Sequence, residues 1–84
     1  MRTLAYTHDA IKFLKNLDAK QFRQLGLKVF SLLSDPRPND SIEMKGGKGR
    51  FRVDVGEFRI IYRFDENSVS ILVIGKRNDG EVYN

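Results

Sequence analysis

The spacing of apolar positions changes period once along the chain, and the change marks where helices give way to strands. Residues 2–6 predict a short first strand. Thr7 then stands where a helix needs an N-cap, because its hydroxyl can accept from an unpaired backbone N–H. Ala10, Phe13, Leu14 and Leu17 recur at helical spacing, with Lys12, Lys15 and Asn16 elsewhere. Asp18 followed three residues later by Gln21 predicts a capping box and so the start of a second helix. Phe22, Leu25, Val29, Leu32 and Leu33 continue an apolar stripe to Ser34. The segment Asp35-Pro36-Arg37-Pro38-Asn39-Asp40 ends that helix, since proline lacks the donor and clashes with the preceding turn.

Beyond it, residues 42–45 predict a brief extended piece, and residues 46–49 a glycine loop. That loop lacks both the spacing and the following helix of a phosphate-binding loop. From Arg50 the period is two: Phe51, Val53 and Val55 alternate with Arg50, Arg52 and Asp54. Gly56-Glu57 is the predicted turn, residues 58–64 a second strand, 65–67 a turn, and 68–74 a nearly all-apolar strand placed inside the sheet. The expected fold is α+β, an N-terminal strand and a two-helix hairpin packed on a mainly antiparallel sheet. With 84 residues the chain forms a single domain, and no repeat, linker or low-complexity segment interrupts it.

Composition narrows the chemistry. Cysteine is absent, which excludes disulfides and thiolate catalysis, and one histidine leaves too few ligands for a zinc site. No metal or other cofactor is expected. His8 opens the first helix and is not expected to be catalytic. No signal peptide and no bilayer-spanning run is visible, so the expected location is the cytoplasm. The net charge of +4 is moderate, and its distribution carries more information than its size.

Cations collect on the strands. Arg50 and Arg52 point away from the Phe51 and Val53 side, and Arg59, Ile61 and Arg63 share one face of the next strand. Across a short turn Arg52 and Arg59 are expected as near neighbours. Two guanidiniums that close repel each other unless an anion lies between them, and phosphate binds arginine bidentately. From spacing alone the face is either such an anion site or a solvated basic surface. The tail, Gly75-Lys76-Arg77 and then Val82-Tyr83, adds two cations and an aromatic hydroxyl. Tyr83 either stacks on a base or tucks a terminal strand against the core.

Residues 51–83 resemble the RelE family of toxins from bacterial and archaeal toxin–antitoxin systems, within the wider RelE/ParE superfamily. The resemblance rests on the basic strand, on Phe58-Arg59-Ile60-Ile61-Tyr62, on the apolar strand 69–74, and on Gly-Lys-Arg followed by Glu-Val-Tyr. The helix hairpin ending in Asp-Pro-Arg-Pro extends it over nearly the whole chain. The resemblance implies a ribosome-dependent messenger RNA endonuclease (an mRNA interferase) that attacks the adjacent phosphate with the 2′-hydroxyl, without a metal. Carried over by position, Arg52 lies on the scissile-phosphate face and Arg59 stabilises the phosphorane charge. Arg77 serves near the leaving 5′-oxygen, and Tyr83 stacks on or orients the substrate.

Lys48, Arg50, Asp54 and Lys76 complete the expected substrate surface. Asp54 stands where relatives often carry lysine. It is a candidate acceptor for the 2′-hydroxyl proton, although its carboxylate also repels phosphate, and Lys48 is a candidate replacement cation. The expected partners are an antitoxin encoded beside the gene, the ribosome and messenger RNA, with no membrane; operator DNA would be met only through the antitoxin complex. Two alternatives stay open: a ParE-like inhibitor of DNA gyrase, and a non-catalytic binding member of the fold.

Overall fold

The computed structural model describes residues 2–46 and 48–77. Thr7 caps α1 (His8–Lys15): its Oγ1 accepts from the Ala10 N–H at 3.2 Å. Asp18 caps α2 (Ala19–Ser34) through the full reciprocal box, with the Gln21 N–H reaching Asp18 Oδ1 at 2.7 Å. The strands are β1 (Thr3–Tyr6), β2 (Ile42–Glu43), β3 (Phe51–Val55), β4 (Phe58–Phe64) and β5 (Ser68–Lys76). They form one sheet in the order β1-β5-β4-β3-β2. β5 is an interior strand, as its apolar composition predicts, and β4 holds the centre.

Among the described residues only the β1–β5 pair is parallel, and the other ladders are antiparallel. A parallel pair needs a long crossover between its strands, and the helix hairpin lies within it. Leu25, Val29 and Leu32 from α2, with Ala10 and Leu14 from α1, pack on Phe51, Val53, Phe58, Ile60, Tyr62, Val69 and Ile71. The helices therefore cover one face of the sheet.

The loop after α2 is tied down from several directions. The buried Tyr62 hydroxyl donates to the Pro36 carbonyl at 2.7 Å. Arg37 lies over the Phe51 ring, 5.2 Å from its centroid, and Asp40 pairs with Lys28 at 2.7 Å.

β5 carries one irregularity that matters for the site. Ile61 pairs with Val73 but Tyr62 pairs with Ile71, so Leu72 is an extra residue in β5. The Leu72 carbonyl accepts from Thr7 Oγ1 at 2.6 Å, and the Ile71 carbonyl from the Thr7 N–H at 3.0 Å. A single threonine thus caps α1 and holds the bulge. Beyond the bulge the alternation is inverted, so that Ile74, not Val73, is the next core residue after Ile71.

Candidate anion-binding site

The sheet face opposite the helices is set by register. The two-residue turn Gly56-Glu57 needs a positive φ, which glycine takes without strain; at Gly56 it is 59°. That turn places Asp54 opposite Arg59, and Arg52 opposite Ile61. Arg52 and Arg59 are therefore diagonal neighbours on one face, with Asp54 directly opposite Arg59. The anion held between guanidiniums here is the chain's own Asp54 carboxylate, and the pair that holds it is Arg59 and Arg77 rather than Arg52 and Arg59.

Arg59 grips Asp54 with both prongs, Nε to Oδ1 at 2.8 Å and Nη2 to Oδ2 at 3.3 Å. Arg77 Nε approaches Oδ2 at 3.2 Å from the other side. Arg77 reaches this face because of the bulge at Leu72. Without the extra residue, residues 73, 75 and 77 would share the core phase of Val69 and Ile71. With it, Gly75 lies opposite Arg59 and Arg77 follows on the same side. The end of β5 is anchored by the Arg77 N–H donating to the Glu57 carbonyl at 2.9 Å.

The Arg59 hydrogen bond holds the Asp54 carboxyl below its ordinary range, against the upward push of partial burial. The charges of Arg59, Arg77 and Arg52 act in the same direction. Asp54 is thus a weaker base toward a 2′-hydroxyl proton than an ordinary carboxylate. Burial is graded across the triad: the side chain of Arg59 is 7% exposed, Asp54 37% and Arg77 54%.

The structure brings together Arg59, Arg77 and Asp54, with Arg52 on the same face. It does not bring the remaining expected cations to that carboxylate. Lys76 pairs in register with Phe58, in the opposite phase from Arg77. Lys48 is exposed in the glycine loop, and Arg50 precedes β3. Tyr83 lies outside the described residues.

A second surface was not visible in the spacing. Phe22, Leu27 and Phe30 are 53%, 65% and 66% exposed. Phe22, expected on the core stripe, belongs instead to an outer face of α2. With Leu4 and Tyr6 of β1 these residues line a groove of about 750 Å³, and Lys15 and Arg23 also border it. Gly26 leaves a notch there, since a Cβ at that position would meet nothing within 4 Å. The signal available in the sequence was that Leu27 and Phe30 fall out of phase with Leu25, Val29 and Leu32. Among the described residues no helix is long and apolar enough to cross a membrane.

Comparison with known proteins places this geometry. The isolated RelE toxin of E. coli is 24% identical, with a TM-score of 0.80 over 99% of this chain and 92% of that one. The RelE–RelB complex of Pyrococcus horikoshii gives 21% identity and a TM-score of 0.78, over 94% and 98% of the two chains. The RelBE2 toxin–antitoxin complex of Mycobacterium tuberculosis gives 23% and 0.74, over 90% and 98%. At these identities the likeness establishes the fold. No curated protein sequence matches. The family model for the ParE toxin of type II toxin–antitoxin systems, parDE, matches residues 4–80. The chain belongs to that family, a toxin of the RelE/ParE superfamily on the RelE-like α+β fold.

Proposed function

We propose that this toxin cleaves messenger RNA on the ribosome, using the arginine face as its phosphodiester site. The observation that carries the reading is the convergence of Arg59 and Arg77 on a single anion, with Arg52 beside them. Attack of a 2′-hydroxyl forms the 2′-O–P bond and breaks the P–O5′ bond, leaving a 2′,3′-cyclic phosphate and a 5′-hydroxyl. The proton leaves the 2′-oxygen and ends on the 5′-oxygen. The charge that builds on the phosphorane is what guanidiniums stabilise, without a tuned pKa and without a metal. Arg59 and Arg52 address the phosphate, Arg77 the leaving oxygen, and Tyr83 stacks on or orients the substrate. Lys48 and Arg50 extend the basic surface for flanking phosphates, whereas Lys76, in the opposite phase from Arg77, does not share that face. Each lost transition-state contact of this kind costs roughly 3–4 kcal/mol, or on the order of 10²–10³ in rate.

A free toxin that stops translation needs a partner, and the α2 groove suits one. Its apolar floor and its Lys15 and Arg23 rim match an amphipathic antitoxin segment with acidic flanks. Two of the three similar structures named above are toxin–antitoxin complexes. The partner is an antitoxin encoded alongside, and operator DNA is bound through the complex, in the cytoplasm.

The second reading is inhibition of DNA gyrase by binding. The match to the ParE family model favours it, as does the partial neutralisation of the arginine pair by Asp54. Inducible expression without the antitoxin, with messenger RNA 5′ ends mapped, separates the two. New ends inside translated codons that vanish in Arg77→Ala and Tyr83→Ala establish the nuclease. Growth arrest with no new ends, and supercoiling lost in a gyrase assay, establishes the alternative.

A further inference from the structure

We propose that the Asp54 carboxylate occupies the anion position of the Arg59–Arg77 pair, so that a phosphodiester enters by displacing the chain's own side chain. The proposal rests on the reading that the arginine face takes a phosphodiester, and adds how access to it is controlled.

The donors around Asp54 are those a phosphate would use. Arg59 presents its Nε and Nη2 to two oxygens of one group, the fork geometry that serves carboxylate and phosphate alike. Arg77 adds its Nε to the second oxygen. The gradient of exposure gives the site a direction. Arg59 is the buried floor, Asp54 stands over it, and Arg77 is the solvent-facing wall. A ligand arriving from water meets Arg77 and the carboxylate first, and reaches Arg59 only when the carboxylate moves.

A place to move to exists on the same strand. Arg52 lies two residues before Asp54 on the same face, and Asp54 already feels its charge. A short side chain turning from Arg59 toward Arg52 keeps a cation beside it while the forked donors are freed. Displacement makes binding depend on the charge the ligand brings. A lone inorganic phosphate must replace a carboxylate that is covalently held in place, and so binds weakly. A strand of single-stranded RNA brings neighbouring phosphates to Arg77 and Arg52 as well, and outcompetes the carboxylate.

The test is titration with inorganic phosphate and with a DNA trinucleotide, which lacks the attacking hydroxyl, followed through the Nε–Hε resonances of the arginines. Asp54→Asn is expected to tighten phosphate binding about tenfold or more, the worth of roughly one charge-assisted hydrogen bond no longer spent on the carboxylate. The shifts should fall on Arg59 and Arg77, and adding Arg77→Ala should remove the gain. Equal or weaker binding by Asp54→Asn overturns the proposal and makes Asp54 a scaffold for the arginines. A second measurement needs no variant to fold. In the unaltered protein the Asp54 carboxyl carbon should shift with the same midpoint as Arg77 Nε–Hε. An Asp54 signal that stays put at phosphate saturation also overturns the proposal.

These outcomes are independent of cleavage. A chain that cuts no messenger yet gains phosphate affinity in Asp54→Asn keeps the displacement and loses the nuclease. Cut messengers without that gain do the reverse.

Discussion

Asp54 and Arg59 sit directly opposite each other across β3 and β4, and the carboxylate takes both prongs of a guanidinium that is almost wholly buried. The pair links stability to pH. Because the folded pKa of Asp54 is depressed, its contribution is complete above the unfolded value of about 4 and is lost as pH falls through the folded one. Asp54→Asn should cost about 1–2 kcal/mol at neutral pH, the lower part of the range for a charged hydrogen bond because water screens the carboxylate. Urea melts at pH 7 and at pH 3 check this. The difference between the two proteins should shrink at the lower pH, and a constant difference would mean that the charge of Asp54 is not what stabilises.

Tyr62 joins the sheet to the loop after α2 through its hydroxyl, which donates to Pro36. Tyr62→Phe keeps the ring packing and leaves a buried carbonyl without its donor, at a cost of about 1–2 kcal/mol. For a domain of this size that lowers the melting temperature by roughly 4–8 °C for each kcal/mol. Calorimetry of the two proteins gives the answer directly, and an unchanged melting temperature would show that the loop is held by Arg37 and Asp40 alone.

Two glycines should respond in opposite directions to the same substitution. Gly56→Ala forces a Cβ into a positive φ and to within 2.6 Å of Gln24 Nε2. The flexible end of Gln24 can move, but the backbone cannot, so a loss of about 1–2 kcal/mol is expected. Gly26→Ala adds a better helix former in open space and should gain about 0.5–1 kcal/mol. Since Gly26 is the notch of the α2 groove, the same alanine should weaken antitoxin binding. Denaturation and pull-down of the antitoxin, run on one preparation, separate the two effects.

Leu27→Asp and Phe30→Asp place charges on side chains that are already largely exposed. Stability should change by no more than about 0.5 kcal/mol, as for ordinary surface substitutions. Toxicity should persist while rescue by co-expressed antitoxin fails. Full rescue of both variants would mean that the antitoxin docks elsewhere.

The sequence by itself determined the elements and their polarity. Thr7, the Asp18–Gln21 box, the proline loop and the switch from helical to alternating spacing are local signals. A local signal is decided by the backbone within a few residues. Boundaries moved only slightly: β2 ends at Glu43 and β5 runs on to Lys76. The cation-rich strand face was also legible, because alternation alone assigns Arg50, Arg52 and Asp54 to one side.

What the tertiary structure decided was which of those residues meet. Register across Gly56-Glu57 gave Arg59 to Asp54 rather than to Arg52. The extra residue at Leu72 turned Arg77 toward the same carboxylate and Lys76 away from it. Neither is local, because a one-residue slip costs nothing along a single strand and inverts every side chain relative to its neighbours. The outer face of α2 was hidden for the same kind of reason. A helix with apolar residues on two sides shows which side is core only once the sheet has covered one of them.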